Sequence, residues 1–409
     1  MKGLLSNRTF FIVTTSDILQ NIGIWIRNIA VLFFVIEQTN GNPIAVSALT
    51  VAEYLPIFIF SIVGGVLADR WQPKRMMIWG DVLSFVSIVI IIFFVMKGYW
   101  LAVFAATMVS AIVSQFSQPS SSRIFKQHIP EDQIPVAIAT TQTVSSLFII
   151  GGPIIGTAVY SMYGLYVSLT LLLVIFALSA LLLSFLPNGE VQQHIGKLSL
   201  VADMKEATVY LKENRNILII LLMFSTLAFG MGLIQPLEIF IITDRLHLTK
   251  ENLQWFTALA GLGMLLGGIV AAISAKMLNG RTVIVTGLSF LGISTVIEVI
   301  SIWPYVTGTM RFLTGIFMAM IQTILSTFML TTISEKFVGR MNGLITPIFT
   351  GFVLIGTSLS GFYMKATSLV VVFTTAGIIF ILASLIGLKL SLQSSTSKTA
   401  MEKKSADSY

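Results

Sequence analysis

Several ionisable side chains stand inside long apolar stretches of this sequence, and four of them are considered first for the chemistry that they could do. Asp17, Glu53 and Glu238 are carboxylates flanked by aliphatic and aromatic residues, and Arg311 is a cation in a similar setting. A charge is unfavourable in apolar surroundings, so a residue of this kind is a functional candidate. A low dielectric favours the neutral form of a carboxyl group, as a proton carrier requires. We therefore predict Asp17, Glu53 and Glu238 as proton-coupling candidates.

The first apolar stretch also carries a polar stripe. At 100° per residue, Asp17, Gln20, Asn21, Arg27 and Asn28 fall within an arc of about 120° on a helical wheel. One interpretation is a wet wall, in which Gln20, Asn21, Arg27 and Asn28 line a substrate cavity. The other is an internal Asp–Arg or Asp–Asn network that locks helices together.

Further polar residues of the apolar stretches have alternative roles. Gln115 and Arg311 are additional cavity candidates, and Arg311 could bind an anionic group, repel cations or extend to water at an interface. Glu53 either carries a proton or pairs with Arg27 or Arg311 across helices. Glu298 lies near the end of its stretch, where water is reachable, and we expect it to have no special role.

The composition indicates that these residues lie within a membrane. Of 409 residues, 55% are apolar and only 11% charged, whereas soluble domains carry roughly 25% charged residues. The formal charge of +7 would suggest nucleic acid in a soluble protein, but here it indicates attraction to an anionic membrane surface. There is no cysteine, and the three histidines lie far apart in predicted loops, so we predict no metal site and no cofactor.

Twelve stretches are long and apolar enough to span a membrane as helices. They are 10–36, 46–68, 76–96, 100–122, 136–160, 165–186, 217–242, 255–277, 283–302, 305–329, 341–363 and 367–390. The chain is therefore predicted to be an all-α integral membrane protein with twelve transmembrane helices. Residues 1–186 would form one six-helix half, 187–216 a central cytoplasmic loop, 217–390 the second half and 391–409 a disordered cytoplasmic tail.

The distribution of basic residues predicts the orientation. If the N-terminus is cytoplasmic, the outer connections hold only Lys97, Arg245, Lys250 and Lys365 of the 25 lysines and arginines. Positively charged loops remain in the cytoplasm. Both termini are therefore predicted to be cytoplasmic.

The connection between the second and third stretches reads Gly65-Val-Leu-Ala-Asp-Arg-Trp-Gln-Pro-Lys-Arg75. It resembles the loop signature of the major facilitator superfamily, although Gln72 and Pro73 replace a glycine and an arginine. The resemblance implies two six-helix halves and a cytoplasmic gate, to which we assign Gly65, Asp69, Arg70, Lys74, Arg75 and Asp81. The alternative is a loop that is merely basic.

Two further motifs extend this resemblance. Gly152, Pro153 and Gly156 in the fifth stretch resemble the core of a motif found in drug antiporters of the superfamily; the alternative role is helix packing alone. Residues 116–119, 129–134 and 339–343 are similar to the macrolide-efflux branch, in which many relatives have an arginine where this chain has Ser110.

The resemblance implies a secondary active transporter that exports small amphipathic or hydrophobic compounds by proton antiport and alternating access. The alternatives are import of a nutrient, or transport of a lipid, siderophore or peptide on the same fold. The sequence has no nucleotide-binding P-loop motif, and its scattered carboxylates do not favour an enzyme. The expected partners are a small-molecule substrate, protons and the lipid bilayer, without nucleic acid. We expect a monomer in a bacterial cytoplasmic membrane.

Overall fold

The computed structural model of the chain describes residues 7–70, 72–130, 133–187, 211, 214–274, 279–332 and 335–390. These residues form eleven long helices. They are α1 (Arg8–Gln38), α2 (Pro43–Arg70), α3 (Pro73–Met96), α4 (Ala102–His128), α5 (Ile134–Ser184), α6 (Arg215–Ile234), α7 (Leu253–Ser274), α8 (Gly280–Ile300), α9 (Pro304–Thr332), α10 (Glu335–Ala366) and α11 (Leu369–Gly387). The predicted tail 391–409 and most of the predicted central loop lie outside the described residues.

Several helices begin at residues that favour a helix start. Asn7 precedes α1, and its Oδ1 accepts from the backbone N–H groups of Thr9 and Phe10 at 2.9 and 3.1 Å. Ser368 caps α11 in the same way. Proline stands at the first position of α2, α3 and α9, where its missing N–H leaves no hydrogen bond unmade.

The all-helical prediction is confirmed, and the described residues include ten helices that are long and apolar enough to cross a membrane. One of the ten is 49 residues long, running from Val136 to Ser184, and it contains the fifth predicted span and all but the last two residues of the sixth. Gly164 divides it with φ 73° and ψ −172°, a backbone conformation that glycine adopts readily. The fourth predicted span corresponds to α4, which is less apolar and is not among the ten.

The helices pack as two groups that we call the first half (α1–α5) and the second half (α6–α11). In the first half α1 packs on α5 and α3 on α4; in the second α7 packs on α9, and α8 on α11. The halves meet mainly through α2 on α10 and through α5 on α7.

The bundle has two ends. The terminal face carries the helix ends at residues 7, 72, 129, 187, 214, 279 and 388, and the opposite face carries 39–42, 97–101, 164, 246–252, 301–303 and 367–368. Hydrogen bonds join neighbouring helix ends at each face. Asn7 Nδ2 donates to the carbonyl of His128 at the terminal face, and Arg245 Nε donates to the carbonyl of Val299 at the opposite face.

The buried apolar cores differ between the two faces. On the side of the opposite face a single core includes residues of both halves, such as Phe33 and Leu169 from the first and Leu237 and Phe373 from the second. On the side of the terminal face, each core among the described residues belongs to one half only. The two halves are therefore joined across the opposite side of the molecule.

Candidate functional site

A cavity of about 180 Å³ lies between the two halves. An engineered cavity of roughly 150 Å³ holds benzene in another protein, so this one has room for a small group and for water. Its lining combines apolar, amide, hydroxyl and carboxylate groups: Asn28, Leu32, Val46, Leu49, Thr50, Glu53 and Thr107 from the first half, and Gln235, Pro236, Glu238, Ile239, Leu253 and Thr257 from the second.

The second half forms its side of this cavity with irregular backbone. After α6 the chain continues through a 3₁₀ turn at Gln235–Leu237, a short helical segment at Glu238–Phe240 and a π-helical turn at Ile241–Arg245. Pro236 lacks the N–H that a continuous helix would use. Helical turns of this kind often occur at functional sites, and this one directs Gln235 and Glu238 into the cavity.

Arg311 holds two carboxylates in a cluster that we call the arginine triad: Arg311, Glu238 and Glu298. Its Nη1 lies 2.5 Å from Glu238 Oε2 and its Nε lies 2.9 Å from Glu298 Oε2. Arg311 is only 8% exposed and Glu298 6%, so Arg311 does not extend to water. The triad carries one net negative charge when all three groups are ionised.

Arg27 is buried in the first half and is paired differently. Its Nε and Nη2 donate to Asn28 Oδ1 at 3.2 and 2.6 Å, and its Nη1 has no hydrogen-bond partner. Glu53 is near enough for its charge to act on Arg27. Neither Arg27 nor Arg311 forms an ion pair with Glu53 among the described residues.

A second, very small cavity lies against Arg27. It measures about 10 Å³ and is lined by Arg27, Ser84, Ser87 and Ser110 among others. Ser84 Oγ, like Arg27 Nη1, is buried without a partner. Helix α1 thus brings a guanidinium beside Ser110.

Asp81 lies inside the first half. It is 1% exposed, and its oxygens accept from Gln20 Nε2 at 2.8 Å and from Ser179 Oγ at 2.5 Å. Ser16 Oγ is 2.7 Å from Ser179 Oγ, and the charge of Asp17 is near enough to interact with Asp81. Gln20 therefore joins α1 to α3 and α5 and does not line the central cavity.

The residues of the predicted polar stripe lie in different surroundings in the structure. Asn28 lines the cavity between the halves, whereas Asn21 donates to the backbone carbonyl of Asp17 within α1. Gln115 contacts its neighbour Ser114 at 3.4 Å and is not among the residues that line the cavity.

The predicted gate is described in part. Gly65, Asp69 and Arg70 belong to α2, but their side chains lie outside the described part. Lys74 Nζ donates to the carbonyl of Leu186 at 2.5 Å, and Arg75 is exposed at the start of α3.

Gly152, Pro153 and Gly156 lie where α5 crosses α1. A Cβ atom at Gly156 would stand 2.7 Å from the backbone oxygen of Trp25 and 2.9 Å from the Ile29 side chain. A Cβ atom at Gly152 would overlap the Trp25 ring, and Pro153 is buried. The motif thus permits the close approach of two helices in the first half.

At the opposite face a polar contact that we call the latch joins the halves: Lys250, Glu37, Phe33 and Tyr160. Lys250 of the second half forms an ion pair with Glu37 of the first, and Tyr160 Oη donates to Glu37 Oε2 at 2.7 Å. The Lys250 ammonium also lies 5.1 Å from the Phe33 ring centre and 5.5 Å from that of Tyr160.

The latch and the role of Glu298 were not predicted from the sequence. Glu298 was expected to have no special role because it lies near the end of its helix, yet it contacts Arg311 across the connection between α8 and α9. The sequence offers Lys250 as a basic residue in a predicted outer connection. A lysine at that position does not indicate which residue of the first half is its partner.

The family model described as Major Facilitator Superfamily matches residues 13–243 and 220–406. This chain belongs to the Major Facilitator Superfamily. The membership predicted from the loop signature is therefore confirmed. The protein is a multi-pass membrane transporter, not an enzyme, and its partners include a small-molecule substrate and the membrane.

Individual relatives of this major facilitator protein are distant. An uncharacterized MFS-type transporter of Bacillus subtilis, YkuC, is 24% identical, covering 84% of this chain and 83% of its own. Macrolide efflux protein A of Streptococcus pyogenes is 23% identical, covering 67% of this chain and 68% of its own.

Solved structures show the same major facilitator fold at low sequence identity. A mutant of the nucleoside transporter NupG aligns with a TM-score of 0.74 and 12% identity, over 93% of this chain and 98% of its own. A bacterial homologue of the iron transporter ferroportin, in an inward-facing state, also gives 0.74, with 15% identity over 94% of this chain and 99% of its own.

Proposed function

We propose that this chain exports small amphipathic or hydrophobic compounds by alternating access, driven by protons that move inward. The observation that supports this most is the cavity between the halves, which has carboxylates in its lining and a shared apolar core beyond it on one side only. An arrangement of this kind fits a carrier that is closed at one face. The similarity to a macrolide efflux protein supports export of drug-like compounds.

We further propose that the terminal face is cytoplasmic in a bacterial cell membrane. The positively charged residues of the connections favour this orientation. The closed face would then be external, as in the inward-facing ferroportin homologue, and the cavity would take up substrate from the cytoplasmic side.

Among the proton-coupling candidates, the contacts favour Asp17 and Glu53 over Glu238. Glu238 Oε2 already forms an ion pair with Arg311 Nη1 at 2.5 Å. Glu53 lines the cavity without an ion pair in the described structure, and Asp17 shares buried surroundings with Asp81. Taking up a proton at either residue would remove a charge from the membrane and shift the balance between the two access states.

Transport in liposomes under an imposed pH gradient tests this proposal. We expect wild type to move erythromycin in the direction opposite to the protons and expect Glu53→Gln or Asp17→Asn to abolish the dependence on the gradient. The control is Asp244→Asn, because Asp244 is an exposed carboxylate at the opposite face. Accumulation of erythromycin in the same direction as protons would contradict export by antiport, and movement that ignores pH in every variant would contradict the coupling.

A further inference from the structure

The small cavity beside Arg27 is lined by residues of the first half, apart from the larger cavity between the halves. Helices α1, α3, α4 and α5 each contribute residues three or four positions apart, which share one face of a helix. These residues are Gly23, Ile24, Arg27, Ser84, Ser87, Ile88, Ala106, Ser110, Leu172 and Phe176. The polar part of this lining consists of one guanidinium group and three hydroxyl groups, and none of the ten residues is acidic.

Arg27 brings a positive charge to this cavity without an ion pair. It is 5% exposed, and among the described residues no carboxylate lies within ion-pair distance of it. Its Nε and Nη2 donate to the uncharged amide oxygen of Asn28. Glu53 is near enough to act on the charge, but it lines the cavity between the halves and not this one. Because buried charges are normally paired, the guanidinium lacks a direct anionic partner.

Two buried donors beside the cavity are unsatisfied in the part of the chain that the structure describes. Arg27 Nη1 carries two N–H groups and Ser84 Oγ one O–H group, and neither atom has a hydrogen-bond partner. Ser87 Oγ, in contrast, donates to the backbone carbonyl of Ser84 at 2.8 Å. A buried donor without an acceptor is unfavourable. Water would accept from both donors, but an anion would also compensate the charge of Arg27.

The size of the cavity restricts the ligand. Its volume of about 10 Å³ is on the scale of one water molecule, so an organic substrate is excluded and a monatomic ion is the charged ligand that suits it. We propose that this cavity binds one monovalent anion of halide size, which accepts from Arg27 Nη1 and from the Ser84 hydroxyl. The anion joins α1 to α3 inside the first half. This inference goes beyond the proposed export function and does not depend on it.

Thermal unfolding of the purified full-length protein in detergent tests the proposal. The unfolding midpoint is measured in sodium chloride and in sodium gluconate at equal ionic strength, since gluconate is an organic anion too large for the cavity. We expect chloride to raise the midpoint of wild type in a saturable manner, as mass action requires for a ligand that binds the folded state. Arg27→Gln should remove this dependence on chloride, because it removes both the charge and the Nη1 donors.

Ser84→Ala tests the site without disturbing a contact of the folded protein. Ser84 Oγ forms no hydrogen bond with the described residues, so the midpoint in gluconate should stay as in wild type. The chloride concentration that gives half of the effect should rise about tenfold or more, because one hydrogen bond to a charged ligand is lost. Ser47→Ala is the matched control. Ser47 Oγ is also buried without a partner, but it lines neither cavity, so this variant should respond to chloride as wild type does.

Two results would overturn the inference. Equal midpoints of wild type in chloride and gluconate would show that the cavity holds water at most. An equal response to chloride in wild type, Arg27→Gln and Ser84→Ala would show that the ion acts elsewhere on the protein.

Discussion

At the scale of single residues, Arg311 forms ion pairs with two carboxylates, Glu238 and Glu298. Arg311 and Glu298 are buried, whereas the Glu238 side chain is 33% exposed. Neither carboxylate has another cation within ion-pair distance among the described residues. Buried ion pairs contribute little net stability, but removal of one partner leaves an uncompensated charge. Arg311 is therefore expected to be structurally essential, whatever its effect on substrate.

Removal of the guanidinium should destabilise the protein strongly. Arg311→Gln leaves Glu238 and Glu298 together without a cation, at an expected cost of about 3–5 kcal/mol, so the thermal unfolding midpoint in detergent should fall. Glu298→Gln should have a smaller effect because Glu238 can still pair with Arg311. The double variant Arg311→Gln/Glu298→Gln should recover part of the loss. An unchanged midpoint in Arg311→Gln would contradict this account.

At the scale of helices, glycines determine how closely neighbouring elements approach. The crossing of α5 and α1 depends on Gly156, whose missing side chain leaves room for the Trp25 carbonyl. Between the halves, a Cβ atom at Gly361 of α10 would lie 2.5 Å from the carbonyl oxygen of Pro43 in α2. Small residues in membrane helices commonly allow contacts of this kind.

A methyl group at Gly156 should force α1 and α5 apart. Because the atom in the way is a backbone oxygen that cannot rotate aside, Gly156→Ala should cost about 1–3 kcal/mol, measured as a lower thermal midpoint. Gly151→Ala is the matched control, since a Cβ atom there meets nothing within 4 Å and alanine favours the helix. Equal midpoints for the two variants would show that the crossing tolerates the methyl group.

The sequence predicted the elements better than their contacts. Apolar stretches of membrane length predicted the helices because the bilayer requires that length, whichever helices become neighbours. Pro236 was expected to interrupt its span, but the π-helical turn that follows at Ile241–Arg245 was not predicted, since proline is common in membrane helices without such a change. The ion pairs were not predicted either: Arg311 is separated from Glu238 by 73 positions, and periodicity gives no information on which helices meet.

The stripe on α1 shows the same limit at the candidate site. The helical wheel grouped Asp17, Gln20, Asn21, Arg27 and Asn28 on one face, but the structure places these residues in different surroundings. Gln20 takes part in an internal network, whereas Asn28 lines the cavity. A wheel gives direction around the helix, but not the depth at which a neighbouring helix ends and a cavity begins.

At the scale of the whole molecule, the latch should favour the state that is closed at the opposite face. Lys250→Gln removes the ion pair with Glu37 and the cation–π contacts with Phe33 and Tyr160, so the face should open more often. Spin labels on cysteines introduced at Leu101 and Tyr305 would measure this, because both side chains are exposed and the chain has no cysteine. We expect a longer-distance population in Lys250→Gln.

Lys97→Gln is the control for this experiment. Lys97 is also a lysine of the opposite face, and it lies 5.9 Å from the Phe93 ring centre, but that contact stays within one half. The distance distribution should therefore match that of the unmutated labelled protein. A longer population in both variants would attribute the change to surface charge and not to the latch.

The core that both halves share beside the latch also affects how the transporter responds to temperature. Separating the halves on that side would bring apolar side chains such as Phe33 and Leu237 into contact with water. Hydration of apolar surface raises the heat capacity, so the free energy of the access switch should follow a curve with temperature and not a straight line. Burial of apolar surface stabilises less on cooling. The free energy that keeps the opposite face closed should therefore become smaller at low temperature, and the population of the state that is open at that face should rise.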